Sequence, residues 1–162
     1  MSWSHLVVIA FGTLLSVPAL AHDSSAHAQS HGKGLSSDEH AFGREGDPKK
    51  VSRTIKVDMS DKMRFSPSAL QVKRGETIRF EVANSGKTMH EMVLGTMQQL
   101  KEHAELMRKH PGMEHDEPYM AHVQPGKKET IVWQFTTTGE FYYGCLLPGH
   151  FEAGMIGSIR VR

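Results

Sequence analysis

Between residues 51 and 161 apolar side chains fall into short runs with a period of two, separated by glycine, proline, asparagine and serine. That period places successive side chains on opposite faces of an extended chain, so the runs read as half-buried strands. Val51, Arg53, Ile55, Val57 and Met59 mark the first. Residues 63–65 lead to Ser66-Pro67, where proline breaks the ladder. Residues 70–72 follow, Lys73-Arg74-Gly75-Glu76 turns, and residues 77–83 return with Ile78, Phe80 and Val82 on one face. After the turn Asn84-Ser85-Gly86 comes a strand over residues 89–94, beginning at His90. Strands resume at residues 130–136, where Ile131, Trp133 and Phe135 share a face, and then at 141–145 and 156–161. Short strands punctuated by turn chemistry specify an all-β sandwich. A core sufficient for one is supplied by Ile55, Val57, Phe65, Leu70, Ile78, Phe80, Val82, Val93, Trp133, Phe135, Phe141, Tyr143, Ile159 and Val161.

The pattern is interrupted at Gly95. Thr96 followed by Gln99 is a capping box, which predicts a helix running to about Lys109 and ended by His110-Pro111-Gly112. A loop bearing Met113, His115, Met120 and His122 then runs to Pro125-Gly126.

The amino-terminal third reads differently. Residues 6–17 (LVVIAFGTLLSV) are apolar but too short to span a bilayer, and Ala19-Leu20-Ala21 is a small-x-small cleavage signal. Residues 1–21 are therefore expected to be a signal peptide cleaved after Ala21, delivering the chain to the periplasm or a similar exported space. An uncleaved anchor is the alternative, and the short run argues against it. Residues 22–50 are rich in Ser, Gly and His with almost no apolar periodicity, which predicts a disordered leader before a folded domain over 51–162. With 19 basic and 18 acidic residues, the charge balance gives no reason to expect nucleic-acid or polybasic membrane binding. No membrane span is expected after cleavage.

Export changes the meaning of Cys145, the only cysteine. It cannot close an internal disulfide, and a free thiol in an oxidising space needs protection by burial or by a metal. His150 follows five residues later and Met155 five after that, giving C-x4-H-x4-M. Thiolate, imidazole and thioether form a soft to borderline set that lacks one imidazole to make a trigonal His2Cys plane with a weak axial Met, the arrangement that holds a redox-active copper. His90 opens an earlier strand that a Greek-key sandwich can place beside this loop. Taken singly, each residue has a plainer reading: a buried small hydrophobe, a surface histidine, a core methionine. Zinc also accepts Cys and His, although a Met ligand argues against it. One cysteine excludes a binuclear copper centre, and the lack of His-x-His pairs excludes a multicopper oxidase.

On these residues the chain resembles the cupredoxins, the small blue-copper β-sandwiches, over roughly residues 51–162. It is most similar to the periplasmic copper-tolerance group, through MHEMVLG (residues 89–95), the GMEH-type insertion and the CLLPGHFEAGM loop. The resemblance implies a Greek-key sandwich or barrel with one inserted helix and loop. It also implies one type 1 copper ion, with His90, Cys145 and His150 as equatorial ligands and Met155 as the axial one. Where many cupredoxins carry Asn or Ser after the first histidine, tying the two ligand loops together, this chain has Glu91. It can make an equivalent hydrogen bond or alter the colour and potential of the site. In a strand it points away from His90 and is not counted as a ligand.

Three functions compete. The first is electron transfer with an unidentified redox partner protein in the setting of copper tolerance. The second is copper sequestration or delivery through accessory sites, and the last-ranked is oxidation of Cu(I). An apolar rim of Leu146, Leu147, Phe151 and Ala153 around His150 suits brief docking, or simply shields the metal. His22, His27, His31 and His40 either hold copper or zinc loosely or belong to a solvated spacer. His103, Met107 and His110 share a helix face and, with Met113, His115, Met120 and His122, can form a labile Cu(I) site. The competing reading, favoured for the helix, packs Leu100, Ala104 and Met107 on the barrel and leaves the histidines in water.

Overall fold

The computed structural model describes residues 34–111 and 115–162. These form two packed β-sheets and one helix. The first sheet runs in the order β1 (Glu39–His40), β2 (Gly43–Glu45), β9 (Lys128–Gln134), β6 (Thr77–Asn84), β3 (Arg53–Ser60), β4 (Arg64–Ser66). The second runs β5 (Ala69–Val72), β11 (Ile156–Val161), β10 (Gly139–Gly144), β7 (His90–Gly95), β8 (Met120–Val123). Most neighbours are antiparallel, but β3 pairs parallel with β6 and β5 with β11, as the chain crosses between layers. This is the all-β sandwich that the alternating runs predict, with one inserted helix. Ile78, Phe80, Val82, Trp133, Phe135, Tyr143 and Ile159 fill the space between the sheets, while Ile55 and Leu70 are only partly buried.

The helix α1 (Met97–Lys109) begins where the capping box places it. Thr96 Oγ1 accepts from the Gln99 backbone N–H at 3.2 Å, and Gln99 Oε1 accepts from the Thr96 N–H at 3.0 Å. Arg108 and Lys109 in its last turn suit the negative end of the helix dipole. Leu100, Ala104 and Met107 are its buried face. Leu100 and Ala104 pack with Val93, Met120 and Leu146 on the outer side of the second sheet. Strand β7 is therefore buried on both faces. Met92 and Leu94 point into the main core, and Val93 points under the helix.

Two expectations need correction. Residues 120–123, read as part of a Met- and His-bearing loop, form β8 on the edge of the second sheet, with Met120 and Val123 buried. Four residues are too few to display a period, and the strand exists because β7 offers it an open edge. Second, the part of residues 22–50 that is described is not disordered. Strand β2 pairs with β9, Phe42 is buried and stacks on Trp133 at 5.1 Å, and its carbonyl accepts the indole N–H at 2.9 Å. Gly43 beside it has φ +121°, and a Cβ there would run into the Gln134 carbonyl, so only glycine allows this approach. The signal peptide, His22, His27, His31 and Met113 lie outside the described residues. Among the described residues no helix is long and apolar enough to cross a membrane.

Candidate metal centre

The centre is built by the register of β7 against β10. Gly144, the last residue of β10, pairs with Val93, so the chain leaving β10 passes the beginning of β7. Cys145 comes next, fully buried, and its Sγ accepts the Glu91 backbone N–H at 3.4 Å. His90 Nδ1 lies 4.0 Å from that sulfur and His150 Nδ1 lies 3.2 Å from it. The three donor atoms are all within 4.8 Å of one another, and the imidazole centroids are 5.0 Å apart. His90 is wholly buried, whereas His150 keeps a partly exposed edge.

The loop that carries His150 is closed on itself. Cys145 N–H donates to the Met155 carbonyl at 3.1 Å, Met155 N–H to the His150 carbonyl at 3.1 Å, and His150 N–H to the Leu147 carbonyl at 3.0 Å. Gly149 and Gly154 both sit at φ +86°, the left-handed region such tight reversals need. Met155 is fully buried at the base of the loop, bonded through its backbone to Cys145. Arg64 clamps the far side, its Nη1 donating to the Ala153 carbonyl at 2.8 Å.

A carboxylate outside the loop orients His90. Asp61, in the turn between β3 and β4, accepts the Lys87 N–H at 2.8 Å and the Thr88 hydroxyl at 2.9 Å, and its Oδ1 lies 3.3 Å from His90 Nε2. The Lys87 N–H and then the Thr88 hydroxyl hold Asp61 down to about 2, so it stays ionised. An ionised acceptor favours the proton on Nε2 and leaves the Nδ1 lone pair facing Cys145. Burial, and then His90, keep His150 below the ordinary histidine range. Burial pushes the Cys145 thiol up to about 12. Without a cation the thiol therefore holds its proton. A bound cation would displace that proton and be met by two imidazole nitrogens, so the donors fit a metal. The model for copper binding proteins of the plastocyanin/azurin family matches residues 51–162.

The chain belongs to that family. It is 47% identical to a copper-resistant cuproprotein, CopI, of Rubrivivax gelatinosus over 96% of this chain and 93% of the relative. It is 32% identical to the CopI of Pseudomonas aeruginosa, over 96% of this chain and 94% of that one. Among solved structures, a reduced auracyanin of Roseiflexus castenholzii aligns with TM-score 0.60 at 20% identity, covering 69% of this chain and 98% of its own. An azurin of Methylomonas sp. strain J aligns at 0.54 and 19%, covering 69% and 99%. These two share the fold. The chain is thus a copper-binding cupredoxin related to copper-resistance proteins.

In this cupredoxin Glu91 ties together the two segments that carry the candidate ligands His90 and Cys145. It faces away from His90, is 1% exposed, and its Oε1 accepts the Leu146 N–H at 2.8 Å, directly after Cys145. Its Oε2 lies 3.0 Å from His122 Nδ1 on β8, close enough for an ion pair although not aligned as a hydrogen bond. The link thus extends from the cysteine loop through β7 to the inserted strand. Of the expected apolar rim, Leu147 and Phe151 are partly exposed and Ala153 exposed around His150, but Leu146 is buried under the helix. The contributions of Asp61, Thr88, Arg64 and His122 are not visible in the sequence. Asp61 reads there as an ordinary turn residue, and its partners lie 26 or more positions away.

Proposed function

We propose that this cupredoxin is an exported, mononuclear type 1 copper protein that passes single electrons between protein partners in the setting of copper tolerance. The observation that carries the reading is the convergence of His90 Nδ1, Cys145 Sγ and His150 Nδ1 at one buried point. Met155, buried at the base of the same loop, would be the fourth residue to hold the ion. The names of the relatives, copper-resistant cuproproteins, support the setting, and the apolar run at residues 6–17 supports export with cleavage after Ala21.

Copper supplies the one-electron couple when bound. The chain's own residues make that couple usable. Cys145 offers a thiolate that favours Cu(II), the two imidazoles suit both oxidation states, and Met155 offers a weak thioether whose donation helps Cu(II) slightly more than Cu(I) and so holds the potential down. The closed loop, the Asp61 contact and the Glu91 bridge resist rearrangement as charge changes. The exposed edge of His150 within Leu147, Phe151 and Ala153 is where a redox partner would touch, over a small and weak interface. No covalent bond in a substrate is made or broken.

The test is the visible and electron paramagnetic resonance spectrum of the copper-loaded protein. An intense thiolate-to-copper band is expected, lost in Cys145→Ser. A Cys145→Ser protein that kept both colour and redox cycling would overturn the reading. Met155→Leu should keep the band and raise the potential. Sequencing the amino terminus of the protein recovered from the periplasm checks the cleavage site.

A further inference from the structure

A second group of imidazoles lies on the helix side of the second sheet. His103 of α1 and His115, just before β8, face each other with ring centroids 4.7 Å apart and planes 32° apart. The Nδ1 of His115 is buried and has no hydrogen-bond partner among the described residues. A buried polar atom left unpaired is costly, and such atoms usually mark something that completes them. His122 is the orienting neighbour. Its Nε2 lies 3.1 Å from the His115 carbonyl oxygen while its Nδ1 faces Glu91, so both of its nitrogens are engaged. His103 and His115 also line an open groove with Gln99, Glu102, Leu106 and Tyr119.

We propose that His103 and His115 form a second, exchangeable copper site, reached from solvent through this groove. Metal–nitrogen bonds are about 2.0–2.1 Å, so two imidazole nitrogens sharing one ion stand about 3–4 Å apart. Rings at this separation reach that by small rotations about their side-chain bonds. Burial, and then the neighbouring His115, hold His103 below the ordinary histidine range, which leaves it a lone pair at neutral pH. A purely imidazole donor set binds copper ahead of the other divalent first-row metals, and Glu102 in the same groove adds negative charge. With two protein ligands the remaining positions go to water, so the ion is held loosely and can leave. The site shares no ligand with the Cys145 centre and does not depend on the reading given above for it.

The test titrates the full chain with Cu(II) and follows electron paramagnetic resonance. A second signal with nitrogen coupling is expected, separate from the thiolate-bound copper and read whether or not the Cys145 band appears. His103→Gln with His115→Gln should bind one equivalent less and lose that signal, with the leader histidines intact and the Cys145 band unchanged as a report of folding. His103→Gln alone, at a partly exposed position, should weaken the second site at least tenfold. Equimolar Zn(II) should leave the second copper signal in place. Unchanged stoichiometry and nitrogen coupling in the double variant would overturn the site, and displacement by Zn(II) would overturn copper as its occupant.

Discussion

Replacing Glu91 with alanine should do more damage than a side chain outside the candidate metal ligands would suggest. Its side chain and Leu146 are each 1% exposed, so water cannot take over the 2.8 Å bond from the Leu146 N–H to Oε1. Orphaning that buried donor costs about 1–3 kcal/mol. His122 loses its counter-charge as well, but it is partly exposed, so water recovers most of that loss and about 1 kcal/mol remains, as for a solvent-screened pair. The sum is about 3 kcal/mol, a fall in Tm of roughly 10 °C for a domain of this size. Glu91→Gln keeps an oxygen for Leu146 and should cost only about 1 kcal/mol. Urea unfolding of the metal-free protein at neutral pH measures both. In the copper-loaded form, Glu91→Ala should also shift or broaden the thiolate band, because the segment after Cys145 is released. Equal stabilities for the alanine and glutamine variants, or a loss below about 1 kcal/mol in Glu91→Ala, would refute the bridge.

The Glu91 carboxylate raises His122 to about 9 from its ordinary 6.5. A folded-state value above the unfolded one gives stability that is complete below pH 6.5 and lost as pH rises through 9. The metal-free protein should therefore weaken between pH 7 and 9.5, and His122→Asn should flatten that slope in denaturant titrations. Asp61→Ala removes the acceptor at His90 Nε2 and should lower copper affinity by about tenfold, the mild end for such outer contacts because Asp61 is well exposed; chelator competition reads it. Gly157 faces Tyr143 across β10 and β11, and a Cβ there would enter the tyrosine ring. Gly157→Ala should cost about 2–3 kcal/mol in unfolding experiments. Thr96→Ala removes one half of the capping box and should cost about 1 kcal/mol.

How much was legible along the chain depended on distance. Ile78, Phe80 and Val82 announce a strand because alternation is a local property, and Thr96 with Gln99 announces a helix start for the same reason. The loop from Cys145 to Met155 is likewise local: its donors are five residues apart, and its glycines stand where the backbone must reverse. Phe42, by contrast, lies in a polar stretch, and its burial depends on Trp133, 91 positions away. The strand at residues 120–123 exists because β7 has an edge to fill, which four residues of sequence cannot announce. Asp61 reaches His90, and Glu91 joins Leu146 to His122, only once the register of β7 against β8 and β10 is set. Periodicity and turn chemistry thus wrote most of the strands, the helix and three donor types into the chain. Which carboxylate orients which imidazole, and which residue bridges the loops, was left to the packing of strands, because those contacts join segments that meet only when two sheets close on one core.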